Sequence, residues 1–199
     1  MKTLLEGYAR FREGYWQQHK ELFSTLARDG QAPPAMVIAC SDSRVPPEAI
    51  FDCAPGEIFV VRNVGALVPP YAPDTGNHGT SAALEFAVTS LEVRTILVLG
   101  HSLCGGIRAL MKGPGAGHGD FIESWMKIAN VARQRVCDSP EVGDFNAQCF
   151  ACEHEAIRVS LANLLTFPWI AERVKDGRLT LTGRHFCVET GTLDEVEPG

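Results

Sequence analysis

One short stretch of the chain joins a thiol, a carboxylate and a guanidinium. Cys40, Asp42 and Arg44 follow the apolar run 36–39. That run is typical of a short buried strand, although its length alone does not exclude a helix. Side chains alternate along an extended backbone, so the three groups can face one side together. Because open parallel sheets bind ligands at the carboxyl ends of their strands, this stretch is a candidate functional site.

A second apolar run, residues 95–99, is followed by His101 and Cys104, whose spacing suits a metal site. Neighbouring parallel strands lie about 4.8 Å apart, so the ends of two such strands can bring Cys40, His101 and Cys104 to one ion. Two thiolates and one imidazole favour zinc over harder cations. Three protein ligands with an open fourth position are typical of catalytic zinc, whereas four fixed ligands are typical of structural zinc.

The elements that must position these residues are those of an α/β fold with a mostly parallel central sheet. Strands are predicted at 35–39, 57–61, 95–99 and 179–188. Helical patterns lie between the first three strands and again before the last one. This order produces parallel strands in one sheet, with helices on both faces.

An amphipathic pattern rich in aromatic residues precedes the first strand. Its apolar residues recur at steps of three and four: Leu4, Tyr8, Phe11, Tyr15, His19, Leu22 and Leu26. Such a stripe can pack on its own domain or on a second subunit. We predict an N-terminal helical arm at 1–30 that packs on a partner subunit, a zinc-binding α/β domain at 31–191 and a polar tail at 192–199.

The composition excludes several classes of function. The 199 residues carry a net charge of −6 and no long block of Lys or Arg, so nucleic acid and anionic membranes are not expected partners. No apolar run approaches the length of a membrane span, and Met1–Arg12 is too charged for a signal peptide. Seven cysteines in such a chain favour free or metal-bound thiols and a cytoplasmic location.

The sequences at both strand ends resemble the motifs of one enzyme family, the beta-class carbonic anhydrases. The similar stretches are Cys40-Ser41-Asp42-Ser43-Arg44, Gly100-His101-Ser102-Leu103-Cys104-Gly105-Gly106, Pro55-Gly56-Glu57 and Val61-Arg62-Asn63-Val64. The resemblance extends from the N-terminal helix to about residue 188. It implies a zinc enzyme that interconverts carbon dioxide and bicarbonate. It also implies four parallel strands with a fifth edge strand, and a homodimer or a dimer of dimers.

The resemblance implies roles for single residues at the metal. Cys40, His101 and Cys104 would bind one zinc ion per chain. Asp42 would be either the fourth ligand or the group that orients the zinc-bound hydroxide. Arg44 would hold Asp42 in an ion pair, and the two would form the catalytic dyad.

Five further residues correspond to the substrate-binding residues of the family: Gln31, Phe59, Val64, Phe86 and Gly105. Gln31 would hydrogen-bond the substrate from the other subunit, and Phe59 and Val64 would be apolar walls. Phe86 lies where many members have Tyr, so no hydroxyl is expected there.

Some members of the family close their site when bicarbonate binds a Trp–Arg–Tyr cluster. The corresponding residues here are Val37, Arg62 and Phe186, of which only the arginine matches. We therefore expect the subgroup without this regulatory cluster and an open, constitutively active arrangement.

Two other functions stay open from the sequence. A zinc ion closed by Cys40, Asp42, His101 and Cys104 would serve folding only, in a module that binds bicarbonate, but the cation of Arg44 beside one ligand argues against this. The same scaffold could instead hydrolyse carbonyl sulfide or carbon disulfide, and pocket width would decide between these substrates.

Other cysteines and histidines have simpler interpretations. Cys149 and Cys152 have the spacing of half a metal or redox motif, but no second pair accompanies them, so packed helix residues are expected. His78 and His118 lie in loops near glycine and are candidates for proton relay, although an exposed loop histidine commonly has no such role.

Overall fold

A computed structural model describes residues 1–113, 119–139 and 141–199. The described residues form one five-stranded sheet: β1 (Ala35–Cys40), β2 (Ile58–Asn63), β3 (Thr95–His101), β4 (Thr180–Phe186) and β5 (Leu193–Val196). The order in space is β2-β1-β3-β4-β5, and each neighbouring pair is parallel except β4 and β5. The predicted α/β fold, with four parallel strands and a fifth edge strand, is therefore confirmed.

Ten α-helices accompany the sheet within these described ranges. They are α1 (Lys2–Glu13), α2 (Tyr15–Gln18), α3 (Lys20–Asp29), α4 (Pro47–Ile50), α5 (Gly79–Glu85), α6 (Gly105–Lys112), α7 (Gly119–Met126), α8 (Asn130–Cys137), α9 (Phe145–Leu164) and α10 (Pro168–Lys175). Short 3₁₀ or π-helical turns lie at Val64–Ala66, Phe86–Ser90 and Lys127–Ala129. In the part of the chain that the structure describes, no helix has the length and apolar character needed to cross a membrane.

Strand β1 is buried on both faces, as its continuous apolar run predicts. Met36 and Ile38 pack in a core cluster with residues of α9 and α10 on one face. Val37 and Ala39 point the other way and pack in a second cluster with Leu99. Because both faces are packed, the carboxyl end of β1 is held in a fixed position.

The C-terminal segment differs from the prediction. The predicted polar tail at 192–199 contains strand β5, which pairs antiparallel with β4. Val196 is 2% exposed, whereas the rest of the strand is exposed and Glu195 pairs with Arg184 at 2.8 Å. The position of this fifth strand was not predicted, because one buried residue in a short edge strand leaves no alternating pattern to recognise.

The N-terminal arm of helices α1 to α3 contains no buried residue. Its aromatic rings contact one another, with the Tyr15 centroid 5.9 Å from Phe11 and 4.1 Å from His19. The arm meets the body of the chain at Leu26, since a Cβ at Gly56 would lie 2.8 Å from the Leu26 side chain. That the arm packs on a partner subunit stays a prediction.

Candidate metal centre

Two adjacent strand ends and the start of one helix bring three predicted ligands together. Cys40 is the last residue of β1, His101 is the last residue of β3, and Cys104 directly precedes α6. β1 and β3 are parallel neighbours, with Ala39 opposite Leu99. The carboxyl ends of both strands therefore meet at one edge of the sheet.

The potential ligand atoms of Cys40, His101 and Cys104 lie within 4.8 Å of one another, and all three residues are buried. The two sulfur atoms are 4.0 Å apart. Two thiolates bound to a tetrahedral zinc ion, each at about 2.3 Å, would be about 3.8 Å apart. The cluster therefore fits a metal site without rearrangement of the backbone.

The hydrogen bonding of His101 leaves one ring nitrogen available as a ligand. Nδ1 donates to the backbone oxygen of Ser102 at 2.9 Å, which assigns the proton to Nδ1 and a lone pair to Nε2. Nε2 is buried and has no hydrogen-bond partner among the described residues. An unpaired buried polar atom is costly, and a metal ion bound at Nε2 would satisfy it.

The two thiols of the cluster strongly affect each other's ionisation. The hydrogen bond from Cys104 lowers the pKa of Cys40 to about 4, although burial opposes the change. The same contact and burial raise the pKa of Cys104, because a second thiolate would be repelled by the first. Both sulfur atoms can be ionised together only beside a cation, so this donor pair suits a divalent metal.

Asp42 lies outside the cluster because Arg44 binds both of its carboxylate oxygens. Nε of Arg44 donates to Oδ1 at 2.9 Å, and Nη2 donates to Oδ2 at 2.7 Å. This side-chain pairing with Arg44 holds the pKa of Asp42 well below its usual range, so the carboxylate is ionised near neutral pH. Oδ2 is 4.0 Å from Nε2 of His101. The Asp42 carboxylate therefore lies next to the metal position, but its hydrogen bonds are to Arg44.

The loop that carries Cys40 and Asp42 is held by Arg62. The guanidinium of Arg62 donates to the backbone oxygen of Cys40 at 2.8 Å and to that of Asp42 at 2.6 Å. Val37 and Phe186, the other two positions compared with the regulatory cluster, pack together in an apolar cluster. The sequence indicated Arg62 only as a remnant of that cluster, and its contact with the loop was missed.

The predicted substrate-binding residues lie in different environments. A Cβ at Gly105 would meet open space, and Val64 contacts the start of α6. Phe59 and Phe86 have ring centroids 5.9 Å apart, and Phe86 is 47% exposed. Gln31 is exposed in the segment before β1. Exposure of Gln31 and Phe86 is compatible with contact to a second subunit, and their roles stay predictions.

Cys149, Cys152 and His78, which the sequence analysis also considered, have ordinary surroundings. Cys149 and Cys152 are buried in α9. Burial raises the pKa of Cys149, and it raises the pKa of Cys152 to about 12, so both stay protonated near neutral pH. His78 pairs with the exposed Asp74 at 2.7 Å, and His118 lies outside the described residues. All seven cysteines are free.

Two buried polar residues lie behind the centre, and the sequence did not indicate their contacts with it. Glu153 in α9 accepts a hydrogen bond from the backbone N–H of Cys104 at 2.9 Å. His185 in β4 lies 3.1 Å from the other oxygen of Glu153. Glu153 lies one helical turn before Ile157, on the buried stripe of α9. A single acid on the apolar face of a predicted helix was the sequence signal that could have identified Glu153.

Comparisons with known proteins agree on one family. A family model described as carbonic anhydrase matches residues 35–193. Beta carbonic anhydrase 3 of Arabidopsis thaliana is 39% identical over 197 residues, which are 98% of this chain and 76% of that protein. The chloroplastic beta carbonic anhydrase 5 of the same plant is 43% identical over 180 residues, 90% of this chain and 59% of that protein.

Solved structures give the same result. The beta-carbonic anhydrase CcaA superimposes with a TM-score of 0.92 at 36% identity, covering 100% of this chain and 92% of that one. CafA of Aspergillus fumigatus has a TM-score of 0.87 at 26% identity, and the match covers 98% of this chain and 90% of that one. A tetrameric beta-carbonic anhydrase of Sordaria macrospora has a TM-score of 0.84 at 27% identity, and the match covers 98% of this chain and 95% of that one.

Proposed function

Because this chain belongs to the beta class of the carbonic anhydrase family, we propose that it catalyses the reversible hydration of carbon dioxide to bicarbonate and a proton. The proposal is carried by one observation, a buried cluster of two thiols and an imidazole beside a carboxylate that Arg44 holds. This donor set favours zinc. We therefore assign one zinc ion per chain to Cys40, His101 and Cys104.

Asp42 and Arg44 are proposed to direct the attack on carbon dioxide. A bound zinc ion would lower the pKa of water at its open position and so supply a nucleophile near neutral pH. The ionised carboxylate of Asp42 can only accept hydrogen bonds. It would therefore accept a hydrogen bond from the O–H of the attacking oxygen, which directs a lone pair of that oxygen toward the carbon of the substrate. Arg44 keeps this carboxylate ionised and directed away from the metal position.

The substrate pocket is proposed to include Val64 and Gly105 of one subunit and Gln31 of the other, with Phe59 and Phe86 as apolar neighbours. This arrangement requires a homodimer or a dimer of dimers. The exposed apolar arm supports such an assembly, and a similar protein of Sordaria macrospora is described as tetrameric. The cytoplasmic location stays a prediction, and one curated relative is described as chloroplastic.

The structural-zinc alternative requires Asp42 as the fourth ligand. Both oxygens of Asp42 are instead engaged by Arg44, which favours an open fourth position. Hydrolysis of carbonyl sulfide or carbon disulfide would use the same residues, and a parallel assay separates that activity from hydration.

The direct test is stopped-flow hydration of carbon dioxide by the purified protein, before and after zinc removal by a chelator. We expect hydration that disappears with the metal and returns when zinc is added. Cys104→Ser should lose both metal and activity, whereas Cys137→Ser, which changes an exposed thiol outside the centre, should keep both. Zinc-loaded protein that does not hydrate carbon dioxide, or that releases sulfide from carbonyl sulfide faster, would refute the proposal.

A further inference from the structure

The peptide unit between Leu103 and Cys104 is held from both of its ends. Its carbonyl oxygen, on Leu103, accepts a hydrogen bond from Nη2 of Arg44 at 3.0 Å. Its N–H, on Cys104, donates to Oε1 of Glu153 at 2.9 Å. The peptide group is planar, so fixing both ends fixes the orientation of the whole unit. This one peptide therefore joins the catalytic dyad to a buried carboxylate on the far side of the loop.

The backbone at this point needs outside support. Leu103 has a φ of +58°, in the left-handed region that non-glycine residues rarely adopt. Its side chain is 62% exposed and cannot anchor the turn by packing. Strained backbone of this kind persists only where surrounding contacts determine it. The hydrogen bonds from Arg44 and to Glu153 are the contacts that do so.

Glu153 and His185 form a pair that is poorly explained by stability alone. Glu153 is 4% exposed and His185 is 0% exposed. A buried ionisable pair pays a desolvation penalty, and apolar residues of similar size are often equally stable or more so. His185 faces the second oxygen of Glu153 at 3.1 Å, and its ring stacks on His154 with centroids 4.2 Å apart. These contacts hold the carboxylate in one orientation toward Cys104.

We propose that Glu153, oriented by His185, is a positioning residue of the metal centre. Through the Leu103–Cys104 peptide it places the Cys104 sulfur and the Arg44 guanidinium together. It thereby links the metal ligand Cys104 to Arg44, the residue that holds Asp42 away from the metal position. The catalytic part of this inference rests on the proposed function, whereas its effect on metal retention requires only that the cluster binds zinc.

The test compares substitutions at Glu153 by the rate at which zinc passes from the full-length protein to a chelator. Glu153→Met keeps the length of the side chain but removes the acceptor for the Cys104 N–H. It should release zinc about 10–100-fold faster and lower kcat by a similar factor, with little change in KM. Glu153→Gln keeps an acceptor oxygen and should stay within about threefold of the parent protein on both readouts.

A control separates positioning from general stability. Leu161→Ala removes a buried side chain from the same helix, in the core cluster that contains Met36 and Ile38, so it should lower the melting temperature without changing zinc release. Equal release from Glu153→Met and the parent, or equal acceleration by Leu161→Ala, would overturn the proposal.

A second variant keeps the test decisive if Glu153→Met does not fold. Glu153→Asp retains the charge but shortens the side chain by one methylene, so it should release zinc faster than Glu153→Gln. The opposite order would overturn the proposal. Parent protein that holds zinc but does not hydrate carbon dioxide would refute the proposed function, and the order of zinc release would still decide the role of Glu153.

Discussion

Arg44 contacts Asp42 through two side-chain hydrogen bonds and one backbone hydrogen bond, and it contacts the Leu103 carbonyl through another. A planar guanidinium can make such paired contacts, whereas the ammonium of lysine cannot reproduce them. Because Oδ2 of Asp42 is only 4.0 Å from Nε2 of His101, a released carboxylate could reach the metal. The position of Asp42 therefore depends on Arg44.

We expect Arg44→Ala to lower the rate of carbon dioxide hydration by at least about 100-fold while zinc stays bound. The variant loses the group that orients Asp42 but keeps the three predicted ligands. Stopped-flow kinetics and metal analysis on the same sample check both parts. Arg178→Ala is the control, because it removes an exposed pairing with Asp176 at 2.9 Å and should leave the rate unchanged. A normal rate in Arg44→Ala would contradict the role given to the dyad.

The ionisation of Asp42 should not change over the pH range in which activity is measured. The hydrogen bonds from Arg44 hold the pKa of Asp42 well below its usual range. A carboxylate with a lowered pKa stabilises the fold above its usual pKa and loses this effect only as the pH falls through the lowered value. The dyad should therefore stay intact from about pH 6 to about pH 9, far above the range in which carboxylates titrate.

Any change of rate over that pH range must come from another group, which we identify as the attacking water. In carbonic anhydrases whose zinc is held by three histidines, the bound water has a pKa of about 7. Two thiolates donate more charge to the metal, so the water should be less acidic here. We expect the hydration rate to rise from neutral to alkaline pH, measured by stopped-flow in buffers of constant ionic strength. A flat profile would count against this assignment.

Helix α9 and strands β4 and β5 meet at Gly183, where no side chain fits. A Cβ there would lie 2.7 Å from Ile157 Cγ2 and 2.9 Å from the backbone oxygen of Val196. Backbone cannot move aside as a flexible side chain does. We expect Gly183→Ala to lower the free energy of unfolding by about 1–3 kcal/mol, measured by denaturant titration.

Gly79→Ala is the matched control for that substitution. A Cβ at Gly79 meets nothing within 4 Å, so its stability should change little. Equal denaturation midpoints for Gly183→Ala and Gly79→Ala would show that β4 and β5 are not packed against α9 as described.

The strands that carry the metal centre were predictable because their signals are local. The apolar runs before Cys40 and His101 each end at a chemically distinctive residue, and parallel pairing brings such ends together. The contacts of Arg62 and Glu153 were not predictable in this way. Each joins parts of the chain that lie far apart in sequence, and neither forms a short motif. The residues of strand β5 were not predicted because the strand buries only Val196.

We expect the assembly of the molecule to depend on the N-terminal arm, which has little contact with its own chain. Helices α1 to α3 bury no residue, and five large apolar side chains of the arm are at least 39% exposed: Leu4, Leu5, Tyr8, Phe11 and Tyr15. Short amphipathic helices gain most of their stability from packing of their apolar face. An exposed apolar surface of this kind is typical of a subunit interface.

We expect the double substitution Leu5→Glu and Tyr8→Glu to dissociate the assembly into single chains, because it places two charges on the apolar face of the arm. Light scattering coupled to size exclusion measures the mass directly. Phe121→Glu makes the same kind of change at a ring that is 90% exposed outside the arm, and it should leave the mass unchanged. An unchanged mass in the arm variant would place the interface elsewhere.

Anomalous diffraction at the zinc absorption edge, from crystals of the purified protein, tests the metal centre most directly. The predicted result is one zinc ion per chain, bound to the sulfurs of Cys40 and Cys104 at about 2.3 Å and to Nε2 of His101 at about 2.0–2.1 Å. Water should be the fourth ligand, with Asp42 still paired to Arg44. A map without a zinc peak between these residues, or with Asp42 bonded to the metal in active protein, would contradict the proposed mechanism.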